Sequence, residues 1–171
     1  MLELTTLIRD IPDFPKKGIL FKDITTLLKD PVAFKQAIDQ LTDSVRSYEP
    51  EIVIGMESRG FIFAAPIAYL LDAGFVPVRK LGKLPGEVIA TEYELEYGTN
   101  TLELHSDAIV AGQRVLIVDD LLATGGTVSA TINLVERLGG KVMAVAFLVE
   151  LTALNGRERL GNYEVVSLLQ F

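Results

Sequence analysis

Two adjacent carboxylates, Asp119-Asp120, end an apolar run and are followed at once by Leu121-Leu122-Ala123-Thr124-Gly125-Gly126-Thr127. Neighbouring acids repel each other unless a ligand or a cation offsets their charge. The residues after them have the opposite character. Small residues and paired glycines let backbone N–H groups converge with no side chain in the way. Thr124 and Thr127 add hydroxyl donors, and a helix starting here presents its positive end, worth about 0.3–1 kcal/mol to a well-placed anion. Ala123, Thr124, Gly125, Gly126 and Thr127 thus suit a phosphate group. The carboxylates suit hydroxyl groups, because a carboxylate can accept from both members of a vicinal diol. A phosphate cradle beside a diol acceptor describes ribose 5-phosphate. A plainer reading stays open on the residues alone: the acids cap a helix or face water, and Gly125-Gly126 is only a tight turn. Neither G-x-x-x-x-G-K-[ST] nor G-x-G-x-x-G fits this segment.

Elements must hold these residues. Arg114–Asp119 (RVLIVD) reads as a buried strand. Thr127–Leu138 reads as a helix with Val128, Ile132, Val135 and Leu138 on one face and Gly139-Gly140 as its stop. Upstream, Glu51–Met56 is a buried strand, Gly60–Asp72 a core helix ending before Gly74, and Phe75–Lys80 a strand that Pro77 marks as edge or irregular. Lys141–Leu151 starts a further strand. Nearer the N-terminus, residues 2–9 suggest a short helix and Pro12–Gly18 a turn-rich loop. Asp30-Pro31 starts a helix whose face carries Phe34, Ile38, Leu41, Val45 and Tyr48.

Apolar strands alternating with helices predict an α/β fold: a twisted, mainly parallel sheet with helices on both faces, in a single domain over residues 1–171. Ligands bind such folds beyond the carboxyl ends of the strands, here after Met56, Lys80, Asp119 and Glu150. After Met56 comes Glu57-Ser58-Arg59-Gly60-Phe61. Backbone amides at a helix start with Arg59 beside them suit an anion, although Arg59 would serve equally as a surface cation. After Lys80, residues 81–98 are long for a connection and carry Gly82, Pro85, Gly86 and Gly98 as hinges. Arg79, Lys80 and Lys83 make its near end positive. Its far part, Tyr93–Tyr97 with Thr99–His105, alternates like a hairpin.

Val115–Thr127 (VLIVDDLLATGGT) resembles the phosphoribosyl diphosphate signature of type I phosphoribosyltransferases, and its Ala-Thr-Gly-Gly-Thr form is similar to the adenine-specific branch. The likeness extends to Phe14-Pro15-x-x-Gly18-x-x-Phe21-x-Asp23-Ile24, Leu27–Pro31, Leu84-Pro85-Gly86, Leu95–Gly98, Leu148–Thr152 and Gly156-Arg157-Glu158. It implies the type I phosphoribosyltransferase fold, with a small base-binding hood over residues 1–30 and a mobile lid over residues 81–98. It implies transfer of a phosphoribosyl group from 5-phosphoribosyl 1-diphosphate to adenine, giving AMP and diphosphate in purine salvage. Asp119 and Asp120 would then hold the ribose hydroxyls and Ala123–Thr127 the 5-phosphate. Arg59, Lys80 and Lys83 would meet the diphosphate, with Arg59 also counted as catalytic. Leu20, Phe21, Lys22 and Leu151 would bind the base, and Glu96 would accept its proton. Mg²⁺ is implied as a cofactor, bound through the diphosphate near Asp119 and Asp120. The resemblance also implies a homodimer.

Composition narrows the alternatives. With 49% hydrophobic and 23% charged residues the chain is neither disordered nor fibrous. A net charge of −7 argues against a nucleic-acid partner or an anionic membrane. There is no cysteine and a single histidine, His105, so thiolate sites and histidine metal clusters are excluded. The N-terminal residues lack the basic start and apolar run of a signal peptide, and no stretch reaches the roughly 20 apolar residues of a membrane helix. A cytoplasmic protein is expected. Two rivals stay open: the same fold acting on xanthine or hypoxanthine, and a non-catalytic sensor of phosphoribosyl diphosphate.

Overall fold

Contacts in the computed structural model, which describes residues 2–95 and 98–171, divide the chain into two units, Met1–Gln40 and Leu41–Phe171. In the first, a 3-10 turn at Leu4–Leu7 precedes a hairpin of β1 (Arg9–Pro12) and β2 (Leu20–Asp23). The helix expected over residues 2–9 is therefore one tight turn. So short a helix is marginal alone, and from Arg9 onward the backbone finds its partners in β2. The turn-rich segment does join the two strands, with Gly18 N–H donating to Asp13 Oδ1 at 2.7 Å. Next come α1 (Thr25–Leu28) and α2 (Pro31–Val45). Asp30 caps α2 as its sequence implies: Oδ1 accepts from the N–H groups of Val32 and Ala33 at 2.9 and 3.0 Å.

The second unit is built on one sheet. Its elements are β3 (Ile52–Met56), α3 (Gly60–Leu70), β4 (Gly74–Lys80), β5 (Val88–Leu95), β6 (Gly98–His105), β7 (Arg114–Leu122), α4 (Gly126–Arg137), β8 (Lys141–Glu150), α5 (Gly156–Leu160) and β9 (Val165–Gln170). The strand order is β5-β6-β4-β3-β7-β8-β9. From β4 to β9 the pairings are parallel, whereas β6 runs antiparallel to both β4 and β5. Val53, Ile54, Val115, Leu116, Ile117, Val118, Ala144, Val145, Ala146, Phe147, Leu148 and Val149 are all buried. Strands covered on both faces need no alternation, which is why they read as continuous apolar runs.

The path of the chain then fixes where a ligand can enter. From β3 it crosses through α3 to β4 on one side, and from β7 through α4 to β8 on the other. Right-handed crossovers in opposite directions put the two helices on opposite faces and leave a crevice between the ends of β3 and β7.

Two expectations need revision. Pro77 lies in β4, an interior strand, opposite Gly55 of β3. Its tolerance there is local: β6 pairs with β4 only at Arg79 and Lys80, so near Pro77 the strand has one partner. Residues 81–98 are also less of a loop than their length suggested. Residues 88–95 form β5, paired with β6 from Val88↔His105 to Leu95↔Gly98, so the hairpin alternation was the informative signal. Among the described residues no helix is long and apolar enough to cross a membrane.

Candidate active site

Strand β7 continues to Leu122, past the end expected at Asp119. Asp119 and Asp120 are therefore strand residues, held by the ladder to β8 in the register Asp119↔Phe147. Asp120 is only 5% exposed, and its Oδ2 accepts from Arg59 Nε at 2.7 Å. Asp119 Oδ1 accepts the N–H of Asp120 at 2.9 Å. Burial pushes the Asp119 carboxyl well above the ordinary range, and the neighbouring charge of Asp120 pushes it further. Burial raises Asp120 as well, against the pull of Arg59. Burial thus outweighs the stabilisation that the donors around the pair give its charges, a condition that hydroxyl groups or a cation would relieve.

Behind the pair stands a residue that sequence reasoning missed. Gly60 opens α3, and a Cβ there would lie 2.8 Å from Asp119 Oδ1 and 3.0 Å from the Val118 carbonyl. Only glycine lets the helix start approach the strand this closely.

The loop after β7 has the shape its composition suggests. Gly125 takes φ +81° and turns the chain into α4, whose first residue is Gly126. A small pocket of about 70 Å³ forms here, lined by Asp119, residues 121–128 and Phe147. The N-terminus of a twelve-residue helix faces this loop with no side-chain cap on its first amides. A second unanticipated glycine braces the loop from behind. A Cβ on Gly156 would lie 2.3 Å from the Ala123 carbonyl, and one on Gly125 would lie 2.8 Å from the Gly156 carbonyl.

The loop after β3 supplies the other wall. Glu57 Oε2 accepts from the Lys80 N–H at 2.9 Å, and its carboxylate pairs with Arg79 at 3.3 Å. The Lys80 amide, with Arg79, holds the Glu57 carboxyl below its ordinary value. A cleft of about 540 Å³ opens between the two loops, with Glu57, Ser58, Arg59, Lys80, Asp119, Asp120 and Thr127 in its lining. Tyr93, Asn100 and Leu102 of the β5–β6 hairpin complete it, with Leu121. Tyr93, Asn100 and Leu102 were not marked as site residues in the sequence, because alternation along a hairpin does not say which face meets a cleft. Lys83 is not part of this lining. Its N–H bonds the Lys80 carbonyl at 3.2 Å, and its own carbonyl accepts from Arg79.

The phosphoribosyl transferase domain model matches residues 24–169 of this chain. An adenine phosphoribosyltransferase from Alkaliphilus metalliredigens is 61% identical over 170 residues, 99% of this chain and all of that protein. The chain belongs to the adenine phosphoribosyltransferase family. Solved structures agree. The adenine phosphoribosyltransferase of Thermoanaerobacter pseudethanolicus superposes with a TM-score of 0.96 at 56% identity, covering 99% of this chain and 98% of that one. The Saccharomyces cerevisiae enzyme, complexed with an imino-altritol bisphosphate and adenine, gives 0.91 at 42% identity, covering 97% and 96%.

Family membership gives the remaining residues their context. Leu151 follows β8 half-buried, its N–H donating to the Leu122 carbonyl at 2.9 Å, so it is tied to the end of β7. In the first unit Leu20 is exposed, and Phe21 meets Phe14 edge-on with centroids 5.1 Å apart. The Lys22 ammonium pairs with Asp10 at 2.6 Å. Glu96, the expected proton acceptor, lies outside the described residues. No group of three or more His, Cys, Asp or Glu converges among the described residues.

Proposed function

We infer that this chain transfers the 5-phosphoribosyl group of 5-phosphoribosyl 1-diphosphate to adenine, giving AMP and diphosphate in purine salvage. The observation that carries the reading is the end of β7, where a desolvated carboxylate pair adjoins a glycine-built phosphate cradle at the crevice between β3 and β7.

The roles follow from the chemistry of each group. Ala123, Thr124, Gly125, Gly126 and Thr127 hold the 5-phosphate through backbone amides and hydroxyls. Asp119 and Asp120 accept the ribose hydroxyls, which supply the donors the pair lacks. As diphosphate leaves, positive charge develops at C1, and Arg59 and Lys80 receive the departing negative charge, with Lys83 joining from the adjacent turn. Leu20, Phe21, Lys22 and Leu151 contribute to binding of the base, and Glu96 accepts the proton adenine loses. When bound, Mg²⁺ would neutralise the diphosphate, and Asp119 and Asp120 are the carboxylates that would hold it. Closure of the segment at residues 81–98 shields the electrophilic sugar carbon from water.

We also propose that the protein is a cytoplasmic homodimer. Ile62, Tyr69 and Leu70 on α3 are exposed, Tyr69 by 82%, and form an apolar surface that a second copy would cover.

The deciding test is turnover of each purine base with the sugar diphosphate, with and without Mg²⁺. AMP formation from adenine is expected to dominate and to require the metal. Preferred turnover of hypoxanthine would overturn the adenine assignment, and binding of the sugar diphosphate without any AMP would make the protein a sensor.

A further inference from the structure

Glu150 ends β8 and is only 4% exposed, yet its carboxylate is fully engaged. Its Oε1 accepts from Arg157 Nε at 2.7 Å; its Oε2 accepts from Arg157 Nη2 at 2.8 Å and Ser167 Oγ at 2.6 Å. Gln170 Nε2 approaches the same oxygen at 3.5 Å. The remaining guanidinium nitrogen, Nη1, donates to the Val165 carbonyl at 2.9 Å. A fork held on both prongs is fixed in orientation as well as position.

We propose that the Glu150–Arg157 pair is a positioning element for the 5-phosphate loop, acting through Gly156. The proposal rests on the phosphoribosyl-transfer reading given above. Arg157 is the second residue of α5 and Gly156 the first, so holding the guanidinium holds the helix start. That start touches the back of the loop: the Ala123 carbonyl and the Leu122 side chain occupy the space a Gly156 side chain would need. The Gly156 carbonyl in turn lies where a Gly125 side chain would be. Two backbones in contact leave no slack, so a shift of α5 becomes a shift of residues 123–125.

Arg157 is 43% exposed, so solvent screens much of this attraction and the pair adds little stability alone. Its geometry is a good device for setting the place of a loop. The Arg157→Lys substitution keeps the charge and removes the fork, whereas Arg157→Ala removes both. Binding of ribose 5-phosphate, measured by calorimetry, reads the loop without catalysis. Both variants are expected to weaken it about tenfold, the lower end of what supporting partners of a site confer. The KM for the sugar diphosphate should rise in parallel, with kcat at saturation within about threefold of the parent.

Gly156→Ala should reproduce the effect with the ion pair intact, and Arg157→Ala added to it should cost little more, because both act on one contact. A lowered Tm with unchanged ribose 5-phosphate affinity in Arg157→Ala would overturn the proposal, as would additive effects in the double variant. Failure of the parent to make AMP, with ribose 5-phosphate still bound, would instead overturn the catalytic reading.

Discussion

Neighbouring strands β7 and β8 both carry acidic residues at or near their carboxyl ends, under opposite electrostatic conditions. Glu150 of β8 lies in register with Leu122, and Arg157 and Ser167 hold its carboxyl below the ordinary value. Asp119 and Asp120 of β7 are pushed the other way by burial, with Arg59 the principal counter-charge. Burial opposes ionisation in all three, and only Glu150 has donors enough to reverse it. The contrast separates scaffold from site: a buried acid whose lone pairs are filled by its own chain holds structure, and one left short of donors is where substrate binds.

The largest expected effect comes from removing the two charges that burial disfavours. Hydrogen bonds to charged groups contribute about 1.5–3 kcal/mol each, so Asp119→Asn with Asp120→Asn should lower kcat/KM by roughly 10²–10⁴. Thermal stability should stay level or rise, because the desolvation penalty goes with the charges. Steady-state kinetics and calorimetric unfolding on one preparation check both halves. Near-normal kcat/KM would end the diol role.

Gly60→Ala attacks the same pair indirectly. The new methyl group would collide with Asp119 Oδ1 and the Val118 carbonyl, and both belong to a strand that cannot move freely. A misplaced carboxylate should cost about 10²-fold in kcat/KM. A crystal structure of the variant would show whether Asp119 has turned away.

What the sequence made legible follows from how local each signal is. Asp119-Asp120 and Ala123–Thr127 lie together in the chain, and the apolar strand before them and the helix after them are readable from their own residues. Asp30 caps α2 through amides two and three residues on, again a local matter. Gly60 and Gly156 could not be read this way. Each is needed because of a carbonyl or carboxylate on a segment distant in sequence, and glycine at a helix start has common local explanations. Residues 88–95 show the same limit: alternation at Tyr93–Tyr97 with Thr99–His105 announced a hairpin, but only the pairing of residues 88–95 with β6 replaced the idea of a long loop. Lys80 and Lys83 looked equivalent in the sequence, and the direction of the turn separates them.

Acid titration sharpens the contrast between β7 and β8. For Glu150 and Glu57 the folded pKa lies below the ordinary 4.5. Their contribution is present above that value and is lost as pH falls through the lowered folded pKa. Asp119 and Asp120 have raised pKa values, so the folded state takes up protons more readily than the unfolded chain. Their contribution runs the other way, with stability falling as pH rises from the ordinary aspartate range through the raised folded values. Denaturant unfolding across pH should show this downward slope in the parent and its absence in the Asp119→Asn, Asp120→Asn variant. An identical pH profile in the two proteins would mean that the pair is not desolvated as the structure indicates.

The smallest effect concerns Glu57, which lines the same cleft as Asp120 yet resembles Glu150 in having its donors supplied from within the chain. If donor supply rather than location decides the role, Glu57→Gln should behave as a scaffold change. Its contacts with Arg79 are long, at 3.3 Å, and Arg79 is one-third exposed, so solvent screens much of that attraction. The loss should be about 1 kcal/mol of stability, a fall in Tm of roughly 2–4 °C for a chain of this size. The KM for the sugar diphosphate should change less than about threefold, because the substituted amide can still accept from the Lys80 N–H. A large rise in KM with little change in Tm would place Glu57 with Asp119 and Asp120, and would mean that proximity to the cleft outweighs satisfaction in deciding which acids meet substrate.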